Sequence, residues 1–346
     1  MSAHDRSILA RVLVMLVLVG AAVACARPAG RGPDAVRLQL KWLPQAQFAG
    51  YYAAQAQGYY GDERLEVTIL PGGLDIVPED VVSEGRADLG ITWLSQLLVA
   101  RERGRPVVNV AQIFTHSGLR QIALAGAGIR SPADLRGRRV AVWAGHEQSL
   151  LATLAKHGIT RNDITLVPQP VGMEFFVKRE VDSASAMTYN ELREVQMLLA
   201  RKRLEEPAAP HEEVVAIDFN TEGTATLEDG LFARADWLRS PENVQIAARF
   251  LRASLRGWDF CRDRAADCLD IVLRASGERD RDHQRWMLAE VIKLIYGPPA
   301  PRGPVGRMQR EAFTRTANIL LRHGVLTRPA QDAAYTDAVW QAAQGR

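Results

Sequence analysis

Short apolar strands alternate with helices through the first half of the chain, and this alternation constrains the fold more than any other feature. Residues 36–42 alternate apolar and polar side chains, as a strand with one covered face does, and residues 65–70 form a second such segment. A helix that ends at Gly58 separates them. Further strands are predicted at 87–92 and 107–114. This pattern predicts a parallel, doubly wound sheet.

A second α/β unit follows, and the chain beyond it consists of long amphipathic segments typical of helices. Such helices are best placed by packing on the first unit, so the chain would cross between the units twice, near 118–121 and 216–225. Paired crossings of this kind act as a hinge. We therefore predict two doubly wound α/β lobes joined by a two-strand hinge. Lobe 1 comprises residues 36–120 and 217–346, with a helical C-terminal region packed on it, and lobe 2 comprises residues 121–216.

The N-terminus has the features of a signal peptide. Basic residues precede an apolar run at 12–20, which is shorter than the roughly 20 residues that a membrane-spanning helix needs. The segment Ala22-Val-Ala-Cys25 resembles the lipobox of bacterial lipoproteins, although leucine is usual three residues before the cysteine. We expect residues 1–24 to be removed, Cys25 to be lipidated, and residues 25–35 to form a flexible tether. A permanent anchor helix and plain secretion are the alternatives.

The composition is that of a globular protein that does not bind nucleic acid. The chain is 47% hydrophobic and 24% charged, with 43 basic against 40 acidic side chains. This near balance excludes the strongly basic surface that follows a phosphate backbone.

Two cysteines remain once Cys25 is assigned to processing. Cys261 and Cys268 are a possible pair in an oxidising compartment. Seven residues of unbroken helix span about 10.5 Å, which exceeds the roughly 7 Å limit between disulfide Cα atoms. A disulfide therefore requires a break, and residues 262–267 are typical of a helix-to-helix junction. We expect this disulfide.

Several segments in combination resemble one protein family. They are Leu40-Lys-Trp-Leu-Pro-Gln-Ala-Gln-Phe-Ala-Gly-Tyr-Tyr52, Gly58-Tyr-Tyr60, Pro71-Gly-Gly73, Ser83-Glu-Gly-Arg-Ala-Asp-Leu-Gly90, Ser131-Pro-Ala-Asp-Leu-Arg-Gly137 and Met187-Thr-Tyr-Asn-Glu191. Over residues 36–340 the chain resembles the periplasmic substrate-binding proteins of ABC importers, in the family that they share with the fungal thiamin pyrimidine synthase. The resemblance implies a type II periplasmic-binding-protein fold with its ligand between the lobes. The ligands implied are thiamin pyrimidine precursors and, in relatives, riboflavin.

The fungal member of that family is an enzyme that consumes its own histidine and pyridoxal phosphate. The resemblance places Thr92 where the enzyme has its cofactor-binding lysine and Gln96 where it has the consumed histidine. Residues 227–231 correspond to its cysteine-rich iron-binding run and contain no cysteine. A Schiff base needs an amine, which threonine lacks. We therefore expect binding without catalysis, with no cofactor and no metal.

Tryptophans stand at the ends of three predicted strands. Trp42 ends the first strand, Trp93 follows the third, and Trp143 ends a strand of the second lobe. Ligands of open α/β sheets bind at the carboxyl ends of the strands, and flat heterocycles stack on aromatic faces. We predict that the three tryptophans face one cleft. Core packing is the alternative for each of them.

Polar candidates follow the same strands. Tyr189, Asn190 and Glu191 come after the strand at 183–187, where the carboxylate could accept two hydrogen bonds from an aminopyrimidine. Capping of the next helix is the alternative for Asn190 and Glu191. His146, in the loop after Trp143, is expected to be exposed, and ligand contact is the alternative. The loops after the first two strands add the candidate ligand-binding residues Gln45, Gln47, Phe48, Gly72 and Gly73.

Together these features predict the substrate-binding lipoprotein of an ABC importer, outside the cytoplasm and in the periplasm or at the cell surface. We expect a monomer that binds a small aromatic heterocycle, first a thiamin pyrimidine precursor, and that contacts the permease subunits of the transporter. Riboflavin or another aromatic ligand is the alternative within this class. An enzyme similar to thiamin pyrimidine synthase is the alternative from a different class.

Overall fold

The computed structural model describes residues 32–206, 212–297 and 304–345. The predicted signal peptide, the predicted lipidation site Cys25 and the predicted tether as far as residue 31 lie outside the described residues. Within the described ranges, no helix is both long enough and apolar enough to cross a bilayer.

Strands are numbered in chain order. They are β1 (Asp34–Gln39), β2 (Leu65–Leu70), β3 (Leu89–Trp93), β4 (Val107–Gln112), β5 (Leu119–Leu124), β6 (Arg139–Val142), β7 (Thr165–Pro168), β8 (Ser183–Met187), β9 (Val214–Asp218) and β10 (Asp229–Arg234).

Helices are numbered in the same way. They are α1 (Ala49–Ala56), α2 (Tyr59–Asp62), α3 (Pro78–Ser83), α4 (Leu94–Glu102), α5 (Gln148–Lys156), α6 (Glu174–Val177), α7 (Glu191–Glu205), α8 (Phe219–Glu222), α9 (Pro241–Asp263), α10 (Ala265–Ser276), α11 (Arg281–Tyr296), α12 (Arg310–Arg322) and α13 (Ala338–Ala343). Short 3₁₀ turns lie at Ala46–Phe48, Ala125–Ala127, Pro132–Leu135, Arg161–Asp163, Trp237–Arg239 and Asp332–Ala334.

The first sheet has the strand order β2-β1-β3-β10-β4. β1 and β3 are parallel, with Leu38 opposite Leu89, whereas β10 runs antiparallel to both β3 and β4. β3 is buried along its whole length, as expected of a strand covered on both faces. Only helices are predicted from the sequence beyond residue 217, so β10 corrects that prediction. The chain forms β10 after it leaves the second sheet, and β10 lies between β3 and β4 in the first sheet.

The second sheet repeats this arrangement with the order β7-β6-β8-β5-β9. β6 is parallel to β7 and β8, and β5 is the antiparallel strand, paired with β8 and β9. The sheet takes in residues 119–218, two residues more at each end than the predicted range 121–216. We call the first sheet with its helices the first lobe and the second sheet with its helices the second lobe.

The long C-terminal helix α9 packs closely on α1 in the first lobe. A Cβ added at Gly50 would collide with the Trp258 ring, and one added at Gly257 would collide with the Gly50 carbonyl oxygen. Both positions therefore need glycine for the helices to approach. Trp258 is fully buried, and its ring meets that of Tyr51 edge-on with centroids 5.8 Å apart. The predicted packing of a helical C-terminal region on the first lobe is confirmed.

A disulfide joins Cys261 and Cys268, whose Cα atoms are 5.0 Å apart. Helix α9 ends at Asp263 and α10 begins at Ala265, so the helix break falls inside the segment 262–267. This break brings the two cysteines together, and both are fully buried.

Candidate functional site

A buried network joins three segments at the carboxyl edge of the first sheet. Asp229 Oδ1 accepts a hydrogen bond from Trp93 Nε1 at 2.9 Å, and its Oδ2 accepts one from Gln47 Nε2 at 2.8 Å. Gln45 Nε2 extends the network by donating to Gln47 Oε1 at 2.8 Å. Burial raises the pKa of Asp229, while the charge of Lys41 and the two donors oppose that rise. The antiparallel pairing of β10 with β3 brings Asp229 opposite Trp93 and thereby builds the network.

Lys41 follows β1 and places its ammonium between the lobes. Its Nζ lies 4.4 Å from the centroid of the Trp93 ring, which is a cation–π contact. Burial lowers the pKa of His146 and raises the pKa values of Glu191 and Asp229; the Lys41 charge reinforces the first shift and opposes the other two. His146 and Glu191 belong to the second lobe. The lysine therefore acts on groups of both lobes.

The side chains at the two positions that bear on synthase chemistry both donate hydrogen bonds within the protein. Thr92 is buried and donates its hydroxyl to Glu79, a buried carboxyl whose pKa is raised by burial. Gln96 Nε2 donates to the carbonyl oxygen of Gly145 in the second lobe at 2.9 Å. Thr92 thus supports the first-lobe core, and Gln96 ties the two lobes together.

The loop after β6 forms the opposite wall. The His146 backbone N–H donates to the Trp143 carbonyl at 3.0 Å, and the His146 ring meets the Trp93 ring edge-on with centroids 4.5 Å apart. The prediction that His146 is exposed is wrong, because this contact leaves its ring partly buried. Burial, followed by the charge of Lys41, lowers the pKa of His146 to about 3, so the imidazole is neutral at neutral pH. Its buried Nδ1 has no hydrogen-bond partner among the described residues.

The segment after β8 is held by local hydrogen bonds. Glu191 Oε2 accepts from the Met187 backbone N–H at 2.9 Å, and its Oε1 accepts from Asn190 Nδ2 at 2.8 Å. Asn190 occupies the N-cap position of α7 without a side-chain capping bond. The Glu191 carboxylate therefore closes the turn between β8 and α7. Tyr189 is buried in the core, where its ring meets Phe114 edge-on at 6.2 Å.

Helix α11 of the C-terminal region also reaches this second-lobe segment. His283 Nε2 lies 2.7 Å from Asn190 Oδ1, and Trp286 Nε1 donates to the Thr188 carbonyl at 2.9 Å. The same helix holds the first lobe, because Gln284 Oε1 accepts a backbone N–H from the turn after β1 at 2.8 Å. α11 therefore connects the lobes in addition to packing on the first.

The remaining predicted site residues have mixed positions. Trp42 and Trp143 are partly exposed, and neither makes a ring-to-ring contact with another described residue. Phe48 is fully buried in the core, and its contact with ligand stays a prediction. A Cβ on Gly72 would collide with the backbone of residues 40–42, whereas one on Gly73 would meet only the Leu43 side chain, at 3.9 Å. The absence of a side chain at Gly72 therefore lets the backbone of residues 40–42 approach it. This close approach fixes the turn that carries Trp42.

One buried carboxyl ties the two chain crossings together. Glu228, on the second crossing, is 1% exposed and accepts hydrogen bonds from the first crossing. The donors are the Ser117 hydroxyl, the Gly118 N–H at 2.9 Å and the Leu119 N–H at 3.1 Å. Burial raises the pKa of Glu228 to about 7 in spite of these donors.

The cleft edge is closed in this structure. Trp93 touches His146, and Gln96 bonds to Gly145 across the same edge. A cavity of about 510 Å³ lies elsewhere, beside the second crossing and lined by residues of α5 and α12. A ligand that stacks on Trp93 therefore enters only when the lobes separate at the edge where these contacts lie.

Four residues of this site were not identified from the sequence: Lys41, Glu228, Asp229 and His283. Lys41 offers a signal, since it stands immediately before Trp42 at a strand end. The adjacent acids Glu228 and Asp229 sit in an otherwise apolar run, which also marks them. His283 gives no such signal, because its role depends on where α11 packs.

Comparison with known proteins supplies a family and a fold. A family model described as NMT1/THI5 like matches residues 45–266. The chain is 26% identical over 312 residues to the riboflavin-binding protein RibY of Chloroflexus aurantiacus, covering 85% of this chain and 82% of that protein. It is 24% identical over 307 residues to the formylaminopyrimidine-binding protein of Halalkalibacterium halodurans, covering 87% and 89%.

Among solved structures, the alkanesulfonate-binding protein SsuA from Xanthomonas axonopodis pv. citri, bound to MOPS, matches with a TM-score of 0.62. The sequence identity is 17%, and the match covers 89% of this chain and 99% of that one. At this identity the match shows the fold alone. The predicted two-lobed periplasmic-binding fold is confirmed.

Proposed function

Because this chain belongs to the NMT1/THI5 like family, we propose that it is the substrate-binding protein of an ABC importer. It holds a small aromatic heterocycle between its lobes and releases it unchanged to the permease. Two relatives that align over more than four-fifths of the chain are named for binding riboflavin and formylaminopyrimidine, which supports this proposal.

The observation that carries the proposal is the meeting of Trp93 and His146 across the cleft edge. One ring comes from each lobe, and their centroids are 4.5 Å apart. A planar ligand that enters when the lobes separate would find an aromatic face on either side. Groups at fixed positions surround the rings, among them the Asp229 carboxyl and the Lys41 ammonium. Aromatic faces with a few placed polar groups are typical of small-molecule sites.

A thiamin pyrimidine precursor is the first candidate ligand. Glu191 is partly exposed, and each of its oxygens accepts one hydrogen bond from the protein. A carboxylate oxygen has room for a second hydrogen bond, so both oxygens could also receive the amidine-like edge of an aminopyrimidine. Riboflavin is the second candidate, favoured by Trp42 and Trp143, which are partly exposed and offer further aromatic area for a ring system of three rings.

Mass spectrometry of ligand retained on the purified protein tests the proposal directly, and calorimetry with formylaminopyrimidine and riboflavin gives the affinities. Trp42→Ala should weaken the better ligand at least about tenfold, equivalent to about 1.4 kcal/mol. The neighbouring Leu43→Ala is the matched control, because Leu43 is 53% exposed. Equal affinities for both variants would place the cleft elsewhere.

A synthase-like enzyme is the competing function. Thr92 and Gln96 carry no amine or imidazole for it, and both side chains are engaged in hydrogen bonds. Adding pyridoxal phosphate to the purified protein should leave the cofactor's absorbance spectrum unchanged. A shifted band that disappears on borohydride reduction and leaves the cofactor covalently attached to the protein would show a Schiff base and contradict the proposal.

We further propose that the protein is a monomer outside the cytoplasm, anchored by lipid on Cys25. The lipobox-like segment and the binding-protein relatives support this location. Metabolic labelling with a fatty acid should mark the wild-type protein and leave Cys25→Ser unlabelled. Release of the wild-type protein into the soluble fraction without label would favour plain secretion.

A further inference from the structure

Lys41 is a partly buried cation at the meeting of the two lobes. Its Nζ lies 4.4 Å from the centroid of the Trp93 ring, and that ring contacts His146 of the second lobe. An ammonium group carries three N–H donors. Among the described residues, Lys41 makes neither a salt bridge nor a hydrogen bond, so its contact with the indole leaves all three donors for solvent or ligand.

The carboxyl groups around Lys41 are bound to other partners. Glu79 accepts from the Thr92 hydroxyl, and Asp229 accepts from the side chains of Gln47 and Trp93. Glu191 accepts from a backbone N–H and a side-chain amide of its own segment. Each carboxyl is thus satisfied by neutral donors. The Lys41 ammonium, by contrast, makes no hydrogen bond to a described residue with any of its three donors.

A ligand that stacks on Trp93 has to displace this ammonium. Trp93 is 4% exposed, and Lys41 covers its ring. The flexible lysine stem lets the charge move from the indole face to the edge of the incoming ring. There the ammonium can donate a hydrogen bond to an acceptor oxygen of the ligand, and this bond is stronger because little water surrounds it. A positive charge on the ligand would instead be repelled by the ammonium.

We propose that Lys41 sets the charge class of the ligand: the cleft takes an uncharged aromatic heterocycle that carries a carbonyl oxygen and rejects one that carries an ammonium group. This inference rests on the proposed function. Riboflavin, with its ring carbonyls, and formylaminopyrimidine, with its formyl oxygen, both meet the requirement. An aminopyrimidine with a free aminomethyl group does not.

Two compounds isolate the effect of the ligand's charge and carbonyl oxygen on binding. They are 4-amino-5-aminomethyl-2-methylpyrimidine and its N-formyl derivative, which share one ring and differ in that formylation removes the ammonium charge and adds a carbonyl. Calorimetry at neutral pH gives the ratio of their dissociation constants. The wild-type protein should prefer the formyl compound by at least about 30-fold.

Lys41→Met keeps an unbranched side chain only one atom shorter and removes the charge, so it should reduce that ratio at least about tenfold. Lys41→Arg keeps the charge and should retain the ratio within about threefold. Lys178→Met removes a lysine charge at an exposed position and is the matched control. Lys41→Gln carries the same expectation as Lys41→Met and replaces it if methionine disturbs folding.

The outcomes separate this inference from the proposed function. An unchanged ratio in Lys41→Met, or a wild-type ratio near one, overturns the role of Lys41 while binding itself still supports the function. A wild-type protein that binds neither pyrimidine nor riboflavin overturns the function, and the inference with it. A preference that falls in Lys41→Met and persists in Lys41→Arg and Lys178→Met supports the inference.

Discussion

The two halves of the site are built differently, although the two sheets share one arrangement of strands. In the first lobe, hydrogen bonds at the site join residues far apart in the chain: Asp229 bonds to Gln47, 182 residues away, and to Trp93, 136 residues away. In the second lobe the corresponding bonds are local, as between Glu191 and the backbone of Met187, four residues away. Tertiary structure fixes the first half, whereas local bonds shape the turn after β8 in the second half.

This difference separates the tasks of the lobes. The first half is organised before ligand arrives, so it loses little conformational entropy on binding. The second half takes its position from the chain crossings at Glu228 and from α11 through His283. We therefore expect ligand to move the second half as a unit against a fixed first half.

The largest expected effect concerns Glu228, whose hydrogen bonds join the two chain crossings between the lobes. Its pKa rises from 4.5 to about 7 on burial, so the folded protein binds a proton more tightly than the unfolded chain. The free energy of unfolding that this group contributes is greatest below pH 4.5 and is lost as the pH rises to about 7. At about 1.4 kcal/mol per pKa unit, the loss is about 3 kcal/mol.

Urea unfolding of wild type and Glu228→Gln across this range checks the prediction. The difference between the two proteins isolates Glu228 from the exposed carboxylates, which titrate in both. That difference should change by about 3 kcal/mol from acid to neutral pH. A difference independent of pH would mean that the crossings do not depend on the protonation of this group.

The next largest effect compares the loss of the Asp229 carboxyl, in the first half, with the loss of the Glu191 carboxyl, in the second. Asp229→Asn leaves one acceptor oxygen for two donors, Trp93 Nε1 and Gln47 Nε2. The amide NH₂ that replaces the other oxygen would face one of these N–H groups. Asp229→Asn should therefore lower the free energy of unfolding by about 2 kcal/mol. Glu191→Gln also loses an acceptor, but at a partly exposed turn, and should lower it by about 1 kcal/mol. Denaturant titration of both variants gives the comparison, and equal losses would remove the distinction between the halves.

The fold follows from sequence patterns where those patterns are local. The strands at 65–70 and 183–187 were predicted with the limits that the structure shows. β10 was missed because it lies among helical segments and becomes a strand only through pairing with β3 and β4. Periodicity along the chain carries no information on such a partner.

The site shows the same limit. Trp93 was predicted from its place at a strand end, and the position of Glu191 follows from the strand-to-helix turn before it. Asp229 and Lys41 gain their roles from contacts with Trp93, which exist only after the sheet has formed. His146 was predicted wrongly for the same reason, since contact with a residue of the other lobe leaves it partly buried.

A smaller effect is expected when the contact between α11 and the second half of the site is removed. His283→Ala removes the bond to Asn190 and should weaken ligand about fivefold, or about 1 kcal/mol. Stability should change little, because α11 keeps its contact through Gln284. His323→Ala is the control, a partly buried histidine on the far end of α12. Equal ligand affinities in the two variants would show that the second half positions itself.

The smallest effect concerns the closing contact itself. Gln96 and Gln148 both donate to the Gly145 carbonyl, at 2.9 Å and 2.7 Å, but Gln96 reaches it from the first lobe and Gln148 from the second. Gln96→Ala therefore removes a bond that exists only while the lobes touch, whereas Gln148→Ala removes one that moves with the loop. Because either partner leaves the carbonyl satisfied, Gln96→Ala should cost about 0.5 kcal/mol and raise the ligand dissociation rate about twofold.

Stopped-flow measurement of ligand release distinguishes these two variants. Gln148→Ala should release ligand at the wild-type rate, since its bond does not cross the cleft. Faster release from Gln148→Ala than from Gln96→Ala would mean that the loop after β6, and not the contact between the lobes, holds the ligand in place.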